Sequence, residues 1–477
     1  MKHILKFLLP LLILSLDFPH LTAQRVTVSE EVSIRSDDRF RIVGQVGDHI
    51  VLLIAKHNRI ELRSFDRDLR LVQREEKSII DRHSRVVGHT KLDNSFLVFT
   101  QMREGDDQYI IEWEFDERAR MIDSSKIAVA SNIPGFSGFR FTTSENSTKA
   151  LFFRSDNAHR LQIFCYDLKN REISWDRNIE VEGDIRSGFR SILVTDDGKM
   201  VLAMERTERR FRRDGMHFEF FLFERDSDRF NFQKVSMPDL HAFSQDFTLD
   251  LRNNQLVGAG LYYENSSSRA EGHFLMKIDL DNPNEPEFLK NPFSRELLNN
   301  ISDQNVNRDG IADVEVTDVM LRNDGGVVIF TEVQKVYERR PTYGQRTFQR
   351  SMGRVGWVDY YLEDVIITSF NPDGSELWTN VLYKRQYSQD DDAAFSGFFI
   401  MESPSFVRLI FNDEIGSNST VSEYLVGADG MTERKSVLNT EYQNLRLRFR
   451  EAYQLNSSAV IVPSESQSNL NLVLVQY

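Results

Sequence analysis

One polar stretch of this sequence has the residue types and spacing of a metal site. It reads Asn305-Val-Asn307-Arg-Asp309-Gly310-Ile-Ala-Asp313, with oxygen-bearing side chains at alternate positions around a glycine turn. Oxygen ligands suit a hard cation, and the stretch resembles the start of a calcium loop. It departs from the EF-hand pattern because Asn305 stands where aspartate is expected and Val316 where the bidentate glutamate is expected. The candidate calcium ligands are Asn305, Asn307, Asp309 and Asp313; the alternative is a polar loop that precedes a strand.

A second group of residues has the composition of a binding surface. Arginines alternate with aromatic residues in two long polar segments, and a third segment adds an arginine and three aspartates. Arginine and aromatic side chains are enriched at binding hot spots. We therefore predict a binding rim made of Arg209, Arg210, Phe211, Arg212, Arg213, Tyr337, Arg339, Arg340, Tyr343, Trp357, Arg385, Asp390, Asp391 and Asp392. The alternative is a set of solvated loops whose opposite charges balance.

The elements that must position these residues are short strands that recur along the chain. The stretch His49–Val72 reads as three strands joined by two polar turns. Its first strand returns about eight times, at 49–55, 95–101, 149–155, 199–205, 255–261, 326–332, 405–411 and 458–464. A repeat of about 40–50 residues with four strands per unit is typical of a propeller. The sequence therefore predicts an all-β fold, a single β-propeller of about eight four-stranded blades, with seven blades as the alternative.

Two further positions recur with the strands. An aromatic or aliphatic residue and then a polar one open a turn at Phe65-Asp66, Phe115-Asp116, Tyr166-Asp167, Phe223-Glu224, Ile278-Asp279 and Phe370-Asn371. Aspartate or asparagine suits this place because its side chain can bond the backbone two residues on. Gly138, Gly188 and Gly397 stand near the start of innermost strands, where the missing Cβ allows close backbone approach. Both positions are typical of stacking contacts in repeat proteins.

The last repeat lacks one strand. After 444–449, 458–464 and 470–476 the sequence stops, while Val26–Ile34 forms a spare strand ahead of the first complete repeat. Pairing the two ends would close the ring and remove exposed sheet edges. We therefore expect the N-terminal and C-terminal strands to share one blade.

The N-terminus predicts a secretory signal. Lys2 and Lys6 supply a positive region, Ile4–Leu16 is almost wholly apolar, and small residues near Ala23 offer a cleavage site. We expect a signal peptide over 1–23 and a propeller domain over 24–477. No cysteine follows the signal to carry a lipid anchor, and no later segment is apolar enough to be a membrane helix. The mature protein is therefore expected to be secreted or periplasmic.

The net charge limits the kinds of partner, and the cysteine count excludes an intrachain disulfide. The net charge of −14 argues against a general affinity for nucleic acid or anionic lipid. Cys165 is the single cysteine, so no intrachain disulfide can form, and its strand context predicts a small core residue. The expected partner is an extracellular or periplasmic protein or glycan, with no nucleic acid and no membrane span.

Two copies of the repeat resemble the quinoprotein-like propeller superfamily, whose blades often read Asp-x-x-x-Gly-x-x-x-Trp. They are 166–175, which ends in Trp175, and 370–378, which ends in Trp378. That superfamily includes dehydrogenases that bind a quinone cofactor and non-catalytic outer-membrane scaffolds. The dehydrogenases carry an adjacent cysteine pair that this sequence lacks, so the resemblance implies docking tryptophans between blades and no cofactor. The chain also looks similar to uncharacterised secreted bacterial propeller proteins.

Motifs of the common enzyme classes are absent from the sequence. It has no Gly-x-Ser-x-Gly elbow, no His-Glu-x-x-His, no phosphate-binding loop and no dinucleotide fingerprint. This favours a non-catalytic binding or scaffold module over an enzyme. The alternative is a hydrolase or lyase acting on glycans, with carboxylates at the channel mouth. An enzyme should show convergent acids of perturbed pKa in a deep pocket, and a binding module should not.

Overall fold

The structure is a computed structural model, and it describes most of the chain after the predicted signal. The described residues are 24–477 apart from 58, 80–83, 106, 132–135, 157, 207–215, 224–229, 238, 265–267, 302–305, 308–309, 340–356, 414, 416–419 and 440–444. Residues 1–23 lie outside them, so the signal peptide stays a prediction.

The first half of the chain forms four blades after a pair of N-terminal strands. These strands are β1 (Arg25–Val28) and β2 (Val32–Ser33). Blade 1 contains β3 (Arg39–Val46), β4 (His49–Lys56), β5 (Arg59–Phe65) and β6 (Leu71–Ser78). Blade 2 contains β7 (Arg85–Lys91), β8 (Ser95–Glu104), β9 (Asp107–Asp116) and β10 (Met121–Ser131). Blade 3 contains β11 (Arg140–Thr143), β12 (Lys149–Ser155), β13 (Arg160–Asp167) and β14 (Glu172–Glu180), and α1 (Ile185–Gly188) follows it. Blade 4 contains β15 (Phe189–Val194), β16 (Met200–Arg206), β17 (Met216–Phe223) and β18 (Phe230–Met237).

The second half adds four blades and more irregular connections. Blade 5 contains β19 (His241–Asp250), β20 (Gln255–Tyr263), β21 (Gly272–Asp279) and β22 (Glu287–Pro292). Next come α2 (Arg295–Asn300) and the small hairpin of β23 (Val306–Asn307) and β24 (Gly310–Ile311). Blade 6 contains β25 (Val314–Leu321), β26 (Val327–Arg339), β27 (Trp357–Phe370), β28 (Glu376–Leu382) and β29 (Gln386–Gln389). Blade 7 contains β30 (Phe399–Glu402), β31 (Phe406–Asn412), β32 (Thr420–Gly427) and β33 (Thr432–Asn439). A 3-10 turn (Phe449–Glu451) precedes β34 (Tyr453–Asn456), β35 (Ala459–Ser466) and β36 (Asn469–Gln476).

The eight antiparallel sheets are the blades of a propeller, which confirms the predicted fold class and the blade count. Strands follow chain order from the axis outward in seven blades, and first strands of neighbouring blades, such as β3 and β7 or β19 and β25, lie against each other around the axis. The eight apolar repeats are the second strands of the blades. The first strands therefore line the central channel.

The eighth blade is shared by the two ends of the chain, as predicted. Its order is β1-β36-β35-β34, so the N-terminal strand is the outermost strand beside the last strand of the chain. The register places Arg25 opposite Gln476 and Val28 opposite Val473, and β2 pairs with β36 through Val32 opposite Leu470. The ring is therefore closed by hydrogen bonds between segments more than 400 residues apart.

Separate hydrophobic clusters fill the spaces between neighbouring blades. Blades 2 and 3 meet in a cluster of phenylalanines, in which Phe152 and Phe164 stack with ring centres 4.8 Å apart. Blades 8 and 1 meet in a cluster that joins Val32 and Ile34 to Leu470. Cys165 is buried in the cluster between blades 3 and 4, which confirms its expected role in the core. Each sheet thus depends on its neighbours to bury its apolar faces.

In four of the turns, the polar residue makes the side-chain bond to the backbone that the sequence predicts. The Asp66 carboxylate accepts hydrogen bonds from the backbone N–H groups of Asp68 and Arg70, each at 2.9 Å. Asp116 repeats this contact in blade 2, and Asp167 and Asp279 make similar bonds in blades 3 and 5. Glu224, the polar residue of the fourth turn, lies outside the described residues, and the Asn371 amide of the sixth turn donates instead to the Ser375 hydroxyl at 3.1 Å. These bonds close the hairpins between third and fourth strands.

The tryptophan positions join blades, and two of the glycine positions would accommodate other residues poorly. A Cβ on Gly188 would meet the Glu205 carbonyl oxygen at 2.8 Å, and Gly397 has a φ of +90°, which disfavours other residues. The Trp175 indole donates to the Gly198 carbonyl in blade 4, and the Trp378 indole donates to the Ala428 carbonyl in blade 7, each at 3.0 Å. The expectation that both tryptophans dock between blades is confirmed.

Candidate functional site

The most distinct feature on the face that carries the second-to-third-strand loops is an extension of blade 6. We call it the blade 6 projection: residues 334–339 of β26, residues 357–362 of β27 and all of β29. The pairing of β25 with β26 ends at Val314 opposite Val333, but β26 and β27 stay paired as far as Arg339 opposite Trp357. On the other side β29 pairs with β27, with Asp359 opposite Gln389. The result is a three-stranded sheet that continues beyond the blade.

One side of the projection carries a row of tyrosines. Tyr337 on β26, Tyr361 on β27 and Tyr387 on β29 are in mutual contact, with ring centres 5.8 Å apart for the first pair and 5.0 Å for the second. Tyr337 is 50% exposed and Tyr387 is 46% exposed. The alternation of side chains in paired strands puts all three on one side of the sheet. This tyrosine row presents a continuous amphipathic surface to solvent.

An ion pair lies within the tyrosine row. Asp359 is fully buried, and its carboxylate pairs with the Arg339 guanidinium and accepts a hydrogen bond of 2.9 Å from the Tyr387 hydroxyl. Burial of a carboxylate is tolerated when charged and polar partners surround it. The pair fixes both the arginine head and one tyrosine ring, so the surface is pre-organised.

A buried polar network holds the base of the projection. Lys384, with 1% of its side chain exposed, lies with its ammonium 2.6 Å from the Glu332 carboxylate, and it donates to the Leu362 carbonyl and the Gln386 amide oxygen. Burial lowers the pKa of Lys384, and the neighbouring Glu332 charge opposes that shift. Gln386 also donates to the Asn412 carbonyl of blade 7 at 2.7 Å. The Lys384 ammonium therefore links β26, β27 and β29, and Gln386 connects these strands to blade 7.

The predicted rim residues fall partly on this projection. Tyr337, Arg339 and Trp357 lie on its paired strands, so the polar segment that contains them begins and ends as strand. The Asp390 carboxylate accepts from the Val358 N–H at 2.9 Å, and the Asp392 carboxylate accepts from the Tyr360 hydroxyl at 3.1 Å.

Two further rim residues are described, and neither bonds to the projection. Arg385 is exposed between β28 and β29, and Asp391 bonds the Ala393 N–H within its own turn. Outside the described residues lie Arg209, Arg210, Phe211, Arg212, Arg213, Arg340 and Tyr343. Their place in the rim stays a prediction.

The candidate calcium ligands are described only in part. Asn305 and Asp309 lie outside the described residues, and Asn307 pairs with Gly310 in the β23–β24 hairpin. Asp313 is exposed with a φ of +53°, and its backbone carbonyl accepts from the Gln334 N–H. Within the described ranges, no three His, Cys, Asp or Glu side chains are placed to hold a metal ion. The calcium site therefore stays a prediction.

Carboxylates cluster in the channel near blades 5 to 7. Burial raises the pKa of both Asp246 and Asp318, and the charges of Asp246 and Glu402 raise that of Asp318 further. Their side chains are nevertheless accessible to water. A cavity of about 500 Å³ between blades 6, 7 and 8 is lined by Asp318, Glu332 and Arg450 among others. The channel wall here is acidic and only partly neutralised.

Sequence reasoning missed several residues of this site. Tyr361, Tyr387 and Asp359 were not among the predicted rim residues, and neither α2 nor β29 was predicted. A signal was present: 357–362 is rich in aromatic and aliphatic residues that favour strands, and Tyr387 follows the predicted Arg385 closely. The channel carboxylates lie on different blades, so no local spacing marks them.

The comparisons with known proteins assign the chain to no family. No protein-family model and no curated protein matches the chain. Among solved structures, the WD40 domain of SCAP from fission yeast is similar with a TM-score of 0.42 and 10% identity, over 95% of this chain and 98% of that one. The β-propeller domain of the Trilobed protease from Pyrococcus furiosus has a TM-score of 0.37 and 12% identity, over 86% and 97%. A prolyl endopeptidase has a TM-score of 0.41 and 11% identity, and the match covers 84% of this chain but 50% of that chain.

Neither of the two short helices in the described part of the chain, nor any longer segment of helix there, has the length and apolar character of a bilayer-spanning helix.

Proposed function

We propose that this protein is a non-catalytic binding or scaffold protein that works outside the cytoplasm and recognises a protein partner through the blade 6 projection. The observation that carries the proposal is the tyrosine row, with two of its rings about half exposed. Its location outside the cytoplasm is supported by the signal-like N-terminus. Likeness to the quinoprotein-like superfamily stays a prediction that the two docking tryptophans support.

The surface suits a protein better than a glycan for two reasons. Tyrosine and arginine are the residues most often found at protein hot spots, and here the Arg339 head is already fixed by Asp359. In addition, the stretch from Val336 to Arg339 has no strand beside it on the β25 side, among the residues that the structure describes. Such an edge offers backbone donors and acceptors to an extended polypeptide. Val336, which is 58% exposed, would add apolar contact.

Photo-crosslinking tests this proposal directly. A benzophenone amino acid placed at Tyr337 should yield a discrete covalent adduct with one protein when the full chain is expressed in its source cells. Tyr337→Ala or Tyr387→Ala should weaken capture of that partner about tenfold or more, since each removes a pre-organised ring. Phe232, which is 51% exposed on the outermost strand of blade 4, is the matched control position.

The outcome at the control position decides the test. Equal adducts from Phe232 and Tyr337, or undiminished capture by both tyrosine variants, would contradict a protein site on the projection. Binding of the wild-type chain to a glycan array, lost in Tyr387→Ala, would assign the surface to a glycan.

The channel carboxylates favour a second candidate function, a glycan-active hydrolase or lyase. Carboxyl groups of raised pKa are typical of enzyme active sites, and the pKa values of Asp246 and Asp318 are both raised. The arrangement is nevertheless an open channel wall, since both side chains are exposed to water. We therefore rank this function second.

Asp318→Asn separates the two functions. At pH 7 the variant should be slightly more stable than the wild type, by less than about 1 kcal/mol after solvent screening, because it removes an unfavourable negative charge. The sign follows from the raised pKa: the folded state prefers the protonated acid, so the wild-type penalty grows as pH rises through that pKa and is absent in acid. Chemical unfolding at pH 7 and pH 3 measures this effect.

Activity assays on the same variant give the functional answer. A binding protein should show no release of reducing ends from a polysaccharide panel with or without the substitution. Hydrolysis by the wild type that is lost in Asp318→Asn would establish the enzyme instead.

A further inference from the structure

A cavity lies between blades 6 and 7, on the face opposite the blade 6 projection. It has a volume of about 160 Å³ and is bordered by the β30–β31 and β32–β33 turns. On the blade 6 side its wall includes Val328 and Phe330 of β26 and Trp378 of β28. On the blade 7 side the wall includes Val407 of β31 and Val426 of β32. We call this space the apolar cavity.

The junction between blades 3 and 4 shows what fills the same place elsewhere in the ring. Trp175 and Trp378 have corresponding positions in blades 3 and 6, since each directly follows a bulge in the fourth strand of its blade. In blade 4, Phe223 faces blade 3 and packs on Trp175, with ring centres 4.5 Å apart. Trp175 is only 5% exposed there. An aromatic ring from the next blade therefore covers the first of the two tryptophans.

The corresponding positions of blade 7 have smaller side chains. Phe223 is paired with Met200 in blade 4, and both residues face blade 3. The pair that faces blade 6 from the start of the second strand of blade 7 is Val407 and Val426. Two valines thus stand where blade 4 has a methionine and a phenylalanine. The apolar cavity is the space that the shorter side chains leave beside Trp378.

The volume of the cavity suits one aromatic ring. An apolar protein cavity of roughly 150 Å³ is large enough to bind benzene. Wall atoms that face a void lack dispersion contacts, and a ligand that fills the void supplies them. Trp378 and Phe330 favour an aromatic ligand further, because aromatic rings pack well at centre distances of about 4.5–7 Å. The wall therefore selects a ring that takes the place of Phe223 in the other junction.

One charged side chain borders the cavity, and its charge is already balanced. Arg322, which follows β25, donates to the Ser369 hydroxyl at 2.9 Å and pairs with the Asp324 carboxylate. Among the described residues, these bonds use two of the five N–H groups of the guanidinium. An acceptor on a ligand can use another of them. Because Asp324 supplies the negative charge, an uncharged acceptor is favoured over an anion.

We propose that the apolar cavity binds a small uncharged molecule with one aromatic ring and a hydrogen-bond acceptor, such as a carbonyl oxygen, directed toward Arg322. The ring lies between Trp378 and Val426, as the Phe223 ring lies against Trp175 in the other junction. The site is on the face opposite the blade 6 projection and does not depend on the function proposed for that surface.

Fluorine NMR of the full chain with simple aromatic probes tests the proposal. The signal of 4-fluoroacetophenone should broaden saturably as protein is added, and unlabelled acetophenone should reverse the effect by competition. The probe 4-fluorotoluene, which keeps the ring without the acceptor, should bind several-fold more weakly. The probe 4-fluorobenzoate should also bind more weakly than the ketone, because its charge must leave water beside an arginine that is already paired.

Substitutions that fill the cavity locate the binding. Val426→Phe supplies the ring that blade 4 has, so it should weaken 4-fluoroacetophenone binding by about tenfold or more without lowering the melting temperature. Val407→Met supplies the counterpart of Met200 and should weaken binding less. Arg322→Gln should reduce the affinity for the ketone to that for 4-fluorotoluene. Val72→Phe is the matched control, because Val72 is 41% exposed on the outermost strand of blade 1, and it should leave binding unchanged.

Several results would overturn the proposal. Absence of saturable 4-fluoroacetophenone binding to the wild type would do so, as would wild-type affinity in both Val426→Phe and Val407→Met. If Val426→Phe does not fold, wild-type affinity in Val407→Met alone is enough. An equal loss of binding in Val72→Phe would place the ligand elsewhere, and tighter binding of 4-fluorobenzoate than of the ketone would contradict an uncharged ligand.

Discussion

Lys384→Met is expected to lower the free energy of unfolding by about 3–5 kcal/mol. The substitution removes the ammonium group and leaves the Glu332 carboxylate, with 1% of its side chain exposed, with no cation nearer than the Arg450 guanidinium at 3.9 Å. It also leaves the Leu362 carbonyl and the Gln386 amide oxygen short of a donor. Urea unfolding followed by tryptophan fluorescence, compared with the wild type, measures the loss.

A double variant and a surface variant are the controls that assign the loss of stability to the buried ion pair. Lys384→Met combined with Glu332→Gln should recover a large part of the loss, because the unpaired buried charge is gone. Lys290→Met, which breaks an exposed pair with Glu264 at 2.9 Å, should cost less than about 1 kcal/mol. If Lys384→Met is as mild as Lys290→Met, the network does not hold the base of the projection.

Deleting residues 25–34 is expected to lower stability by more than about 5 kcal/mol. The deletion removes β1 and β2, buried side chains that include Val32 and Ile34, and the hydrogen bonds that β36 makes with both strands. Each buried aliphatic side chain contributes roughly 1.5–3 kcal/mol, and the exposed edge of β36 loses its partners. Thermal unfolding of the shortened chain measures the effect.

Adding the missing strand back as a peptide tests the closure itself. A synthetic peptide of residues 24–35 should raise the melting temperature of the shortened chain in a concentration-dependent way. A peptide of the same composition in scrambled order is the control, and it should have no effect. A shortened chain as stable as the wild type would mean that the two ends contribute little to the ring.

The repeat could be predicted from the sequence because it is local and periodic. Each blade needs an apolar second strand and a polar turn such as Asp66 or Asp116, and these stand at regular spacing along the chain. The closure could be predicted by counting, because the last repeat lacked one strand and the N-terminus supplied one. The roles of Gly188 and Trp175 could also be predicted. Gly188 allows close packing because it has no side chain, and the Trp175 indole bonds the next blade.

The candidate site could be predicted only in part, for a different physical reason. The residue types predicted Tyr337, Arg339 and Trp357 as binding residues. They did not predict that β26 and β27 stay paired beyond the other strands of blade 6. β29 is a four-residue strand whose pairing with β27 depends on tertiary contacts of Gln386 with blade 7.

The pairing of β1 with β36 has a consequence for how the protein is made. β1 has its partner more than 400 residues later in the chain, at Asn469–Gln476, so it cannot pair until that segment has been synthesised. Contacts between such distant segments form slowly, and unfinished chains expose sticky strand edges. A nascent or clipped molecule should therefore depend on chaperones and be a target for proteases, while the completed ring should resist both.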